Sequence, residues 1–459
     1  MVRFILSLAR KEIFSHLYSV RFIFTMDLIC ILFLVSAFMM LSDYRKRRAN
    51  FEAQRKVHED AVMDILNEED VRDQFRRLFW RGGISYDRTP ASMSVFVRGL
   101  DWHIPMTFTK SAWEAKQSND DMYRNPILNL YMTPDFAYIV NIILSLLALL
   151  FAFDTISGEK EDGTLKLLLS YPVPKVSVLL GKWLGGFITL MGPFLLGVLF
   201  WMIIIVNSGE VSFHRENIVR FFTITGTSAV YIGLFFSLGI FVSCLNRRSN
   251  TSLLVCFFIW VIWIIVIPNA APIAAKVVSP VPARREIEKL KDDVERKTER
   301  ELKRAKQNTL YYSDESENIE EEIKAKGEYE KNTIEDFYAK RIKRQGRVAG
   351  FLARLSPSGS YMFAVTTAAG TGTEAYYSTF RAFEKFENDF QNLYSSLRRR
   401  WWRLSSGWLN RERIPRLHIY SLRVDNALNR ALFDILILMI FTILFFMLSF
   451  CLFLSYDPK

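Results

Sequence analysis

Cysteine and histidine are scarce in this chain, which has four of the first and five of the second in 459 residues. Cys30, Cys244, Cys256 and Cys451 all fall within or at the end of apolar runs, so the polar segments carry no disulfide framework and no cysteine metal site. His16, His58, His103, His214 and His418 are scattered, without HExxH or any other metal spacing, and no metal site is expected. A Gly-x-Ser-x-Gly elbow is missing. So is a Walker A sequence, because Gly181-Lys182-Trp183 fails at the hydroxyl position. These absences exclude ATP binding through a P-loop in the chain and predict a non-catalytic protein without a cofactor of its own. The balance of 59 Lys and Arg against 48 Asp and Glu gives a net charge of +11. No nucleic-acid motif accompanies it, and in a membrane chain such an excess reads as contact with anionic lipid.

What the chain has in plenty is long uncharged runs. Mean hydropathy is only +0.11 although half the residues are apolar, because charge and apolar character are segregated. Crossing a hydrocarbon core of about 30 Å takes roughly 17–25 apolar residues. The runs predict six transmembrane helices at 22–42 (broken by Asp27), 136–153, 179–206, 221–245, 251–267 and 432–456. A wholly soluble protein is excluded, as is a β-barrel, whose spans would alternate over about 10 residues. The first run is too long for a cleaved signal and has no small-residue cleavage pattern after it, so it reads as a retained anchor.

Six spans place both termini on one side. In the short loops, Arg3, Arg10, Lys11, Arg21, Lys160, Lys166, Lys175, Arg247 and Arg248 fall on that side, against only Arg215 and Arg220 on the other. Basic residues in short loops face the cytoplasm, so cytoplasmic termini are expected, and the lack of cysteine in the polar segments is compatible with the expected setting, a bacterial inner membrane. The cluster Arg45-Lys46-Arg47-Arg48 argues the other way, but opens a long loop.

Two long segments then face outward. In 43–135, residues 44–81 read as a helix continuing span 1, and 92–97 and 104–109 as short strands, predicting a small extracytoplasmic α/β lobe. In 268–431, residues 284–306 hold seventeen charges in twenty-three positions. Pairs at Asp292–Arg296, Asp293–Lys297 and Glu299–Lys303, with a stripe of Ile287, Leu290, Val294, Thr298 and Ala305, have helical spacing. A second helical run to about 355, with Ile319, Ile323, Ile334 and Phe337 inward, completes an extracytoplasmic helical hairpin about 40 Å long. It reads either as a solvated stalk or as a docking arm for an envelope protein. Further on, 383–408 mixes aromatics with Arg398, Arg399, Arg400, Trp401, Trp402 and Arg403, an interfacial-anchor composition that predicts a helix lying on the membrane. The fold class is therefore an all-α polytopic membrane protein with a small α/β lobe and a helical hairpin.

The informative stretch is 153–186, Phe153-Asp-Thr-Ile-Ser-Gly-Glu-Lys-Glu-Asp-Gly-Thr-Leu-Lys-Leu-Leu-Leu-Ser and onward through two prolines to Gly185-Gly186. It reads as a charged turn and then a short amphipathic helix over 163–170, with Glu159, Glu161 and Asp162 at its positive amino end and prolines stopping it. A rigid helix held between two spans moves with them as one body. Asp27 is the one carboxylate well inside a span, and reads either as a hydrogen-bonded structural acid or as an intramembrane polar site. Gly181, Gly185, Gly186, Gly192 and Gly197 give span 3 a small-residue face for close packing, with Pro193 a kink candidate.

This stretch resembles the signature region of ABC-2 type transporter permeases, particularly those linked with multi-copper-enzyme maturation. The similarity extends to Arg88-Thr-Pro-Ala-Ser-Met-Ser-Val-Phe-Val-Arg-Gly-Leu-Asp, Leu355-Ser-Pro-Ser, Ala368-Ala-Gly-Thr-Gly and Phe453-Leu-Ser-Tyr-Asp. The charged hairpin departs from the simpler family members. The resemblance implies a half-transporter that pairs with a second permease copy, each resting on a separate ABC ATP-binding subunit that carries ATP and Mg. It makes Glu159, Lys160, Glu161, Asp162, Gly163, Thr164 and Leu165 the coupling segment, and residues 1–21 a cytoplasmic interfacial helix. The expected function is ATP-driven export or flipping of a lipid or amphiphile. The alternative is mechanotransmission or scaffolding of an envelope partner through the hairpin.

Overall fold

The computed structural model describes residues 2–113, 115–118, 134–170, 174–212, 214–308, 314–398, 401, 404, 408–419 and 424–456. Six of its helices are long and apolar enough to cross a membrane: Val20–Leu66, Phe136–Glu161, Lys175–Ser208, Arg215–Leu245, Ser249–Val278 and Val424–Leu454, numbered here as spans 1 to 6. The chain is an all-α polytopic membrane protein with a small antiparallel sheet. It divides into two compact units, 1–260 with 360–459, and 261–359.

In the first unit, span 4 is the most enclosed helix and packs against spans 2, 3 and 6. Tryptophans seal the contacts, since an indole N–H in an apolar interior must find an acceptor. Trp201 Nε1 donates to the Phe33 carbonyl at 2.6 Å, Trp183 Nε1 to Ser237 Oγ at 2.9 Å, and Trp260 Nε1 to Ser145 Oγ at 2.9 Å. Four of the five glycines of span 3 are used for close packing as the spacing predicts, against three neighbouring helices, while Gly192 meets nothing within 4 Å. Gly186 receives Phe236 of span 4 and Gly197 receives Phe33 of span 1. Gly181 and Gly185 receive Leu8 and Ala9 of the amino-terminal helix Val2–Leu17. A Cβ at Gly185 would meet Glu12 Cβ at 2.7 Å and the Ala9 carbonyl oxygen at 2.8 Å, whereas one at Gly192 meets nothing within 4 Å. Gly185→Val is therefore expected to lift the amino-terminal helix off span 3 and let its backbone unwind, so that trypsin cuts faster after Arg10 and Lys11, whose side chains are already exposed. Gly192→Ala leaves the digestion pattern as it is, and equal digestion of the two variants would refute the contact.

Beyond the expected membrane segment, the helix of span 1 continues to Leu66 and enters a lobe. Its sheet has the order β1 (Ile84–Asp87), β2 (Thr107–Lys110), β3 (Ala115–Ser118), antiparallel throughout, with Ile84 opposite Lys110 and Thr107 opposite Ser118. The expected strand at 92–97 is instead a 3-10 turn, Ser92–Val95, closed by Ser94 N–H to the Ala91 carbonyl and Phe96 N–H to that of Met93. Its alternating pattern misleads because all of Met93–Val97 is buried, Ser94 included, which accepts a hydrogen bond from Arg47 Nη2. Arg47, one of the four clustered basic residues, is not a topology signal at all. It and Arg88 share the buried Asp101, at 2.7 and 2.6 Å.

The expected membrane-lying helix is also corrected. Helix Thr373–Arg398 buries Phe383, Phe386, Phe390 and Tyr394 against Phe75, Phe79 and Phe108 of the lobe. Phe79 lies 5.2 Å from both Phe390 and Tyr394, and Trp401 stacks on Phe75 at 5.8 Å. An apolar face covered by protein is not available to lipid. Of the expected anchor, Arg398 is exposed on the last turn, and Arg399, Arg400, Trp402 and Arg403 lie outside the described residues.

The second unit contains the hairpin. Helices Arg284–Asn308 and Asp314–Ala353 run antiparallel, and the longer one also packs on Ile267–Val278. The ion pairs that sew it together cross between helices: Glu335 takes Arg284 (2.8 Å) and Lys291, and Glu295 takes Lys331 (3.0 Å). Ile287 is buried as expected, but Leu290, Ile319 and Phe337 are exposed, Phe337 being covered on one face by Arg341. Ser356 Oγ donates to the Trp263 carbonyl and accepts from Ser358 N–H, so the Ser-Pro-Ser motif caps helix Pro357–Ala369.

Candidate functional site

Span 2 does not end smoothly. Its helix loosens into turns after Ala152 and resumes as Ser157–Glu161, then turns at Gly163 (φ +72°) into the short helix Thr164–Ser170. The charged turn read from sequence is thus a helix of its own. Of the acids expected at the amino end of the short helix, Glu159 and Glu161 are used elsewhere and Asp162 is exposed.

Each buried group of this segment ties it to a different element. Glu159 Oε1 accepts from Lys182 Nζ at 2.8 Å, and the same ammonium donates to Glu12 Oε1 at 2.9 Å. Lys182 is 3% exposed, so one cation locks the segment, span 3 and the amino-terminal helix together. Ser243 Oγ of span 4 accepts from the Ile156 and Ser157 N–H groups at 3.0 and 2.9 Å, satisfying donors left free where the helix breaks. Lys160 Nζ donates to the carbonyls of Cys244 and Asn246, and Glu161 Oε2 accepts from Ser249 N–H at 3.0 Å, where span 5 begins. Arg21 pairs with Asp154 at 2.5 Å. Burial pulls the nearby His16 imidazole below its ordinary value, against the opposing pull of Glu12 and Asp154. Lys175 Nζ donates to the carbonyls of Leu454 and Tyr456, both at 3.0 Å, bringing the Phe453-Leu-Ser-Tyr motif to the same place.

What remains exposed is the outer turn. Asp162, Gly163, Thr164, Lys166 and Leu167 face solvent, while Leu165 is fully buried as the anchor beneath them. Leu167 is 68% exposed. The segment is thus a knuckle fastened to spans 3, 4 and 5, to the amino-terminal helix and, through Lys160 Nζ 5.3 Å from the Tyr456 ring, to the residues after span 6, with one open face. Sequence reasoning missed Lys182 and Ser243. For Lys182 the signal was present: a lone cation inside an otherwise apolar run.

At the opposite end of this unit, two more sequence motifs converge. Leu100 N–H donates to the Thr371 carbonyl at 2.7 Å, and Gly99 (φ +50°) lets the two backbones approach. Arg220 Nη1 donates to the Ala368 carbonyl at 2.8 Å. Asp27 is exposed on span 1 and makes no hydrogen bond or ion pair among the described residues, so the reading of it as a hydrogen-bonded structural acid is not met within one copy.

A family model described as ABC-2 family transporter protein matches residues 6–457, essentially the whole chain. The chain belongs to the ABC-2 transporter family. This ABC-2 chain is also 44% identical over 61 residues to the probable ABC transporter permease protein NosY of Stutzerimonas stutzeri. It is 56% identical over 43 residues to the protein of the same description in Pseudomonas aeruginosa. The matched stretches cover 13% and 9% of this chain and 22% and 16% of those proteins, so the likeness is local. As an ABC-2 chain it is a multi-pass membrane permease, a type of subunit that in general carries no catalysis of its own.

Proposed function

We propose that this permease is the membrane half of an ATP-driven transporter that exports or flips a lipid or amphiphile from the inner membrane of a bacterium. Two copies pair, and each rests on a separate ATP-binding subunit that holds ATP and Mg. The observation that carries the reading is the knuckle: residues 157–170 are fastened to five elements yet present an open face of Asp162, Gly163, Thr164, Lys166 and Leu167. A partner pushing there moves helices rather than a loop. The short-loop distribution of Lys and Arg supports cytoplasmic termini, on the side where ATP is available.

Leu167→Glu places a charge on the open face without touching the buried bonds. It is expected to abolish co-purification of the ATP-binding subunit while leaving the melting temperature of the permease within about 2 °C, as for a surface substitution. Retention of the subunit at full stoichiometry would refute the docking face.

The hairpin's separate, ion-paired body favours a second reading, in which ATP hydrolysis drives an envelope partner and nothing crosses the membrane. Deleting residues 284–350 separates the two. Export that survives the deletion supports the transporter with a hairpin dispensable for cargo. Loss of a co-purifying envelope protein, with no lipid movement in either form, supports mechanotransmission.

A further inference from the structure

The amino-terminal helix Val2–Leu17 has one covered and one open side. Leu8 and Ala9 seat it on span 3. The open side, with the turn that follows, exposes Leu6, Phe14 and Tyr18 together with Arg3, Arg10 and Lys11. Its level in the membrane follows from its neighbours. Ser19 ends the helix and caps span 1, accepting from the Phe22 N–H at 3.2 Å, so the chain turns directly into the hydrocarbon. His16 lies against Phe151 with ring centres 5.8 Å apart, and Arg21 holds Asp154, where the apolar run of span 2 ends. The carboxyl end of the helix therefore sits where hydrocarbon gives way to headgroups.

The charge on the open side is of one sign. Arg3, Arg10 and Lys11 make no hydrogen bond or ion pair among the described residues, and Arg10 rests over the Phe14 ring at 5.6 Å. The acids at this level have partners: Glu12 and Glu159 share Lys182, and Asp154 takes Arg21. Glu161 and Asp162 are exposed, but on the knuckle, where Lys160 and Lys166 balance them. Rings interleaved with basic side chains suit a headgroup layer, in which the ring is half buried and the cation meets phosphate. Basic residues at a membrane surface are drawn to anionic lipid, and a zwitterionic headgroup attracts them far less.

We propose that the open side of this helix binds anionic lipid headgroups, and that this contact seats Glu12 on Lys182. Glu12 lies on the span 3 side of the same helix, 2.9 Å from the cation that also holds Glu159. The lipid charge of the leaflet beside the termini then sets how firmly the helix is tied to the knuckle. The binding does not depend on the transport reading, whereas its consequence for coupling rests on it.

The test uses the full purified chain in lipid nanodiscs without a partner subunit, with amide hydrogen exchange read by mass spectrometry. The discs hold phosphatidylcholine alone or phosphatidylcholine mixed with phosphatidylglycerol. Exchange over residues 2–17 is expected to slow at least about fivefold with phosphatidylglycerol, the value of one basic residue at an anionic surface. High salt should erase the difference. Arg10→Gln/Lys11→Gln should lose most of it, with exchange in span 4 as the check that the variant is folded. Residues 157–170 should slow in step with the helix. In Glu12→Ala they should stop responding while residues 2–17 still do. Equal exchange of residues 2–17 in both lipids overturns the proposal. So does protection that appears only when an ATP-binding subunit is added, which would give the open side to a protein. A lipid response of residues 2–17 with none in 157–170 overturns the tie between lipid and knuckle.

Discussion

Asp101→Ala is expected to destabilise the lobe by about 3 kcal/mol, because the buried Arg88 guanidinium loses its carboxylate and Arg47 is left with Asp43, at 3.0 Å, as its remaining acid. Asp101 is 3% exposed, so water cannot replace the lost partner. The effect is large because the carboxylate joins two distant parts of the chain. Arg47 lies on the extension of span 1, and Arg88 follows β1 in a different stretch. Thermal melting of the full chain, followed by the fluorescence of Trp80 and Trp408 in the lobe core, is the direct measurement. Asp101→Asn keeps an acceptor and should fall between the two. A loss below about 1 kcal/mol, the size of an exposed pair, would show that the triad is not sealed from solvent.

Lys182→Met is expected to be the most damaging single change for coupling. It removes the cation that Glu12 and Glu159 both bind and leaves two carboxylates facing one another across an apolar side chain. Glu159 is partly open to solvent, so the cost in stability is at the lower end for a broken buried pair, about 3 kcal/mol. The larger consequence is mechanical, since the amino-terminal helix and the 157–170 segment lose their common tie to span 3. ATP hydrolysis by the reconstituted complex should continue while substrate movement falls to background. Neutralising both acids as well, in Glu12→Gln/Glu159→Gln/Lys182→Met, removes the repulsion and should recover most of the stability but not the coupling. Wild-type transport by Lys182→Met would remove the ion triad from any account of coupling.

Six spans, the non-spanning charged hairpin and the motif over 153–170 were all legible in the sequence, because each is a local property. Hydropathy over about 20 residues, charge density and helical spacing need no knowledge of neighbours. The packing role of Gly181 and Gly185 was legible in kind, but the helix that fills the groove was not. The reading failed where burial is two-sided or where a partner arrives from far along the chain. Ser94 breaks the alternation rule because Arg47, 47 residues away, reaches it inside the lobe. The aromatic residues of 383–394 resemble a membrane face because an amphipathic stripe is the same whether lipid or protein covers it.

By itself, then, the sequence determined that the chain crosses the membrane as helices, that it has no ATP site of the P-loop kind, and which family it belongs to. Only the tertiary structure decided that Phe383 and Phe390 belong to the core of the lobe, and that Lys182 is the pin of the 157–170 knuckle. The reason is physical. Periodicity and composition report which surface of a helix must be covered, but the identity of the cover is set by contacts between residues far apart in the chain.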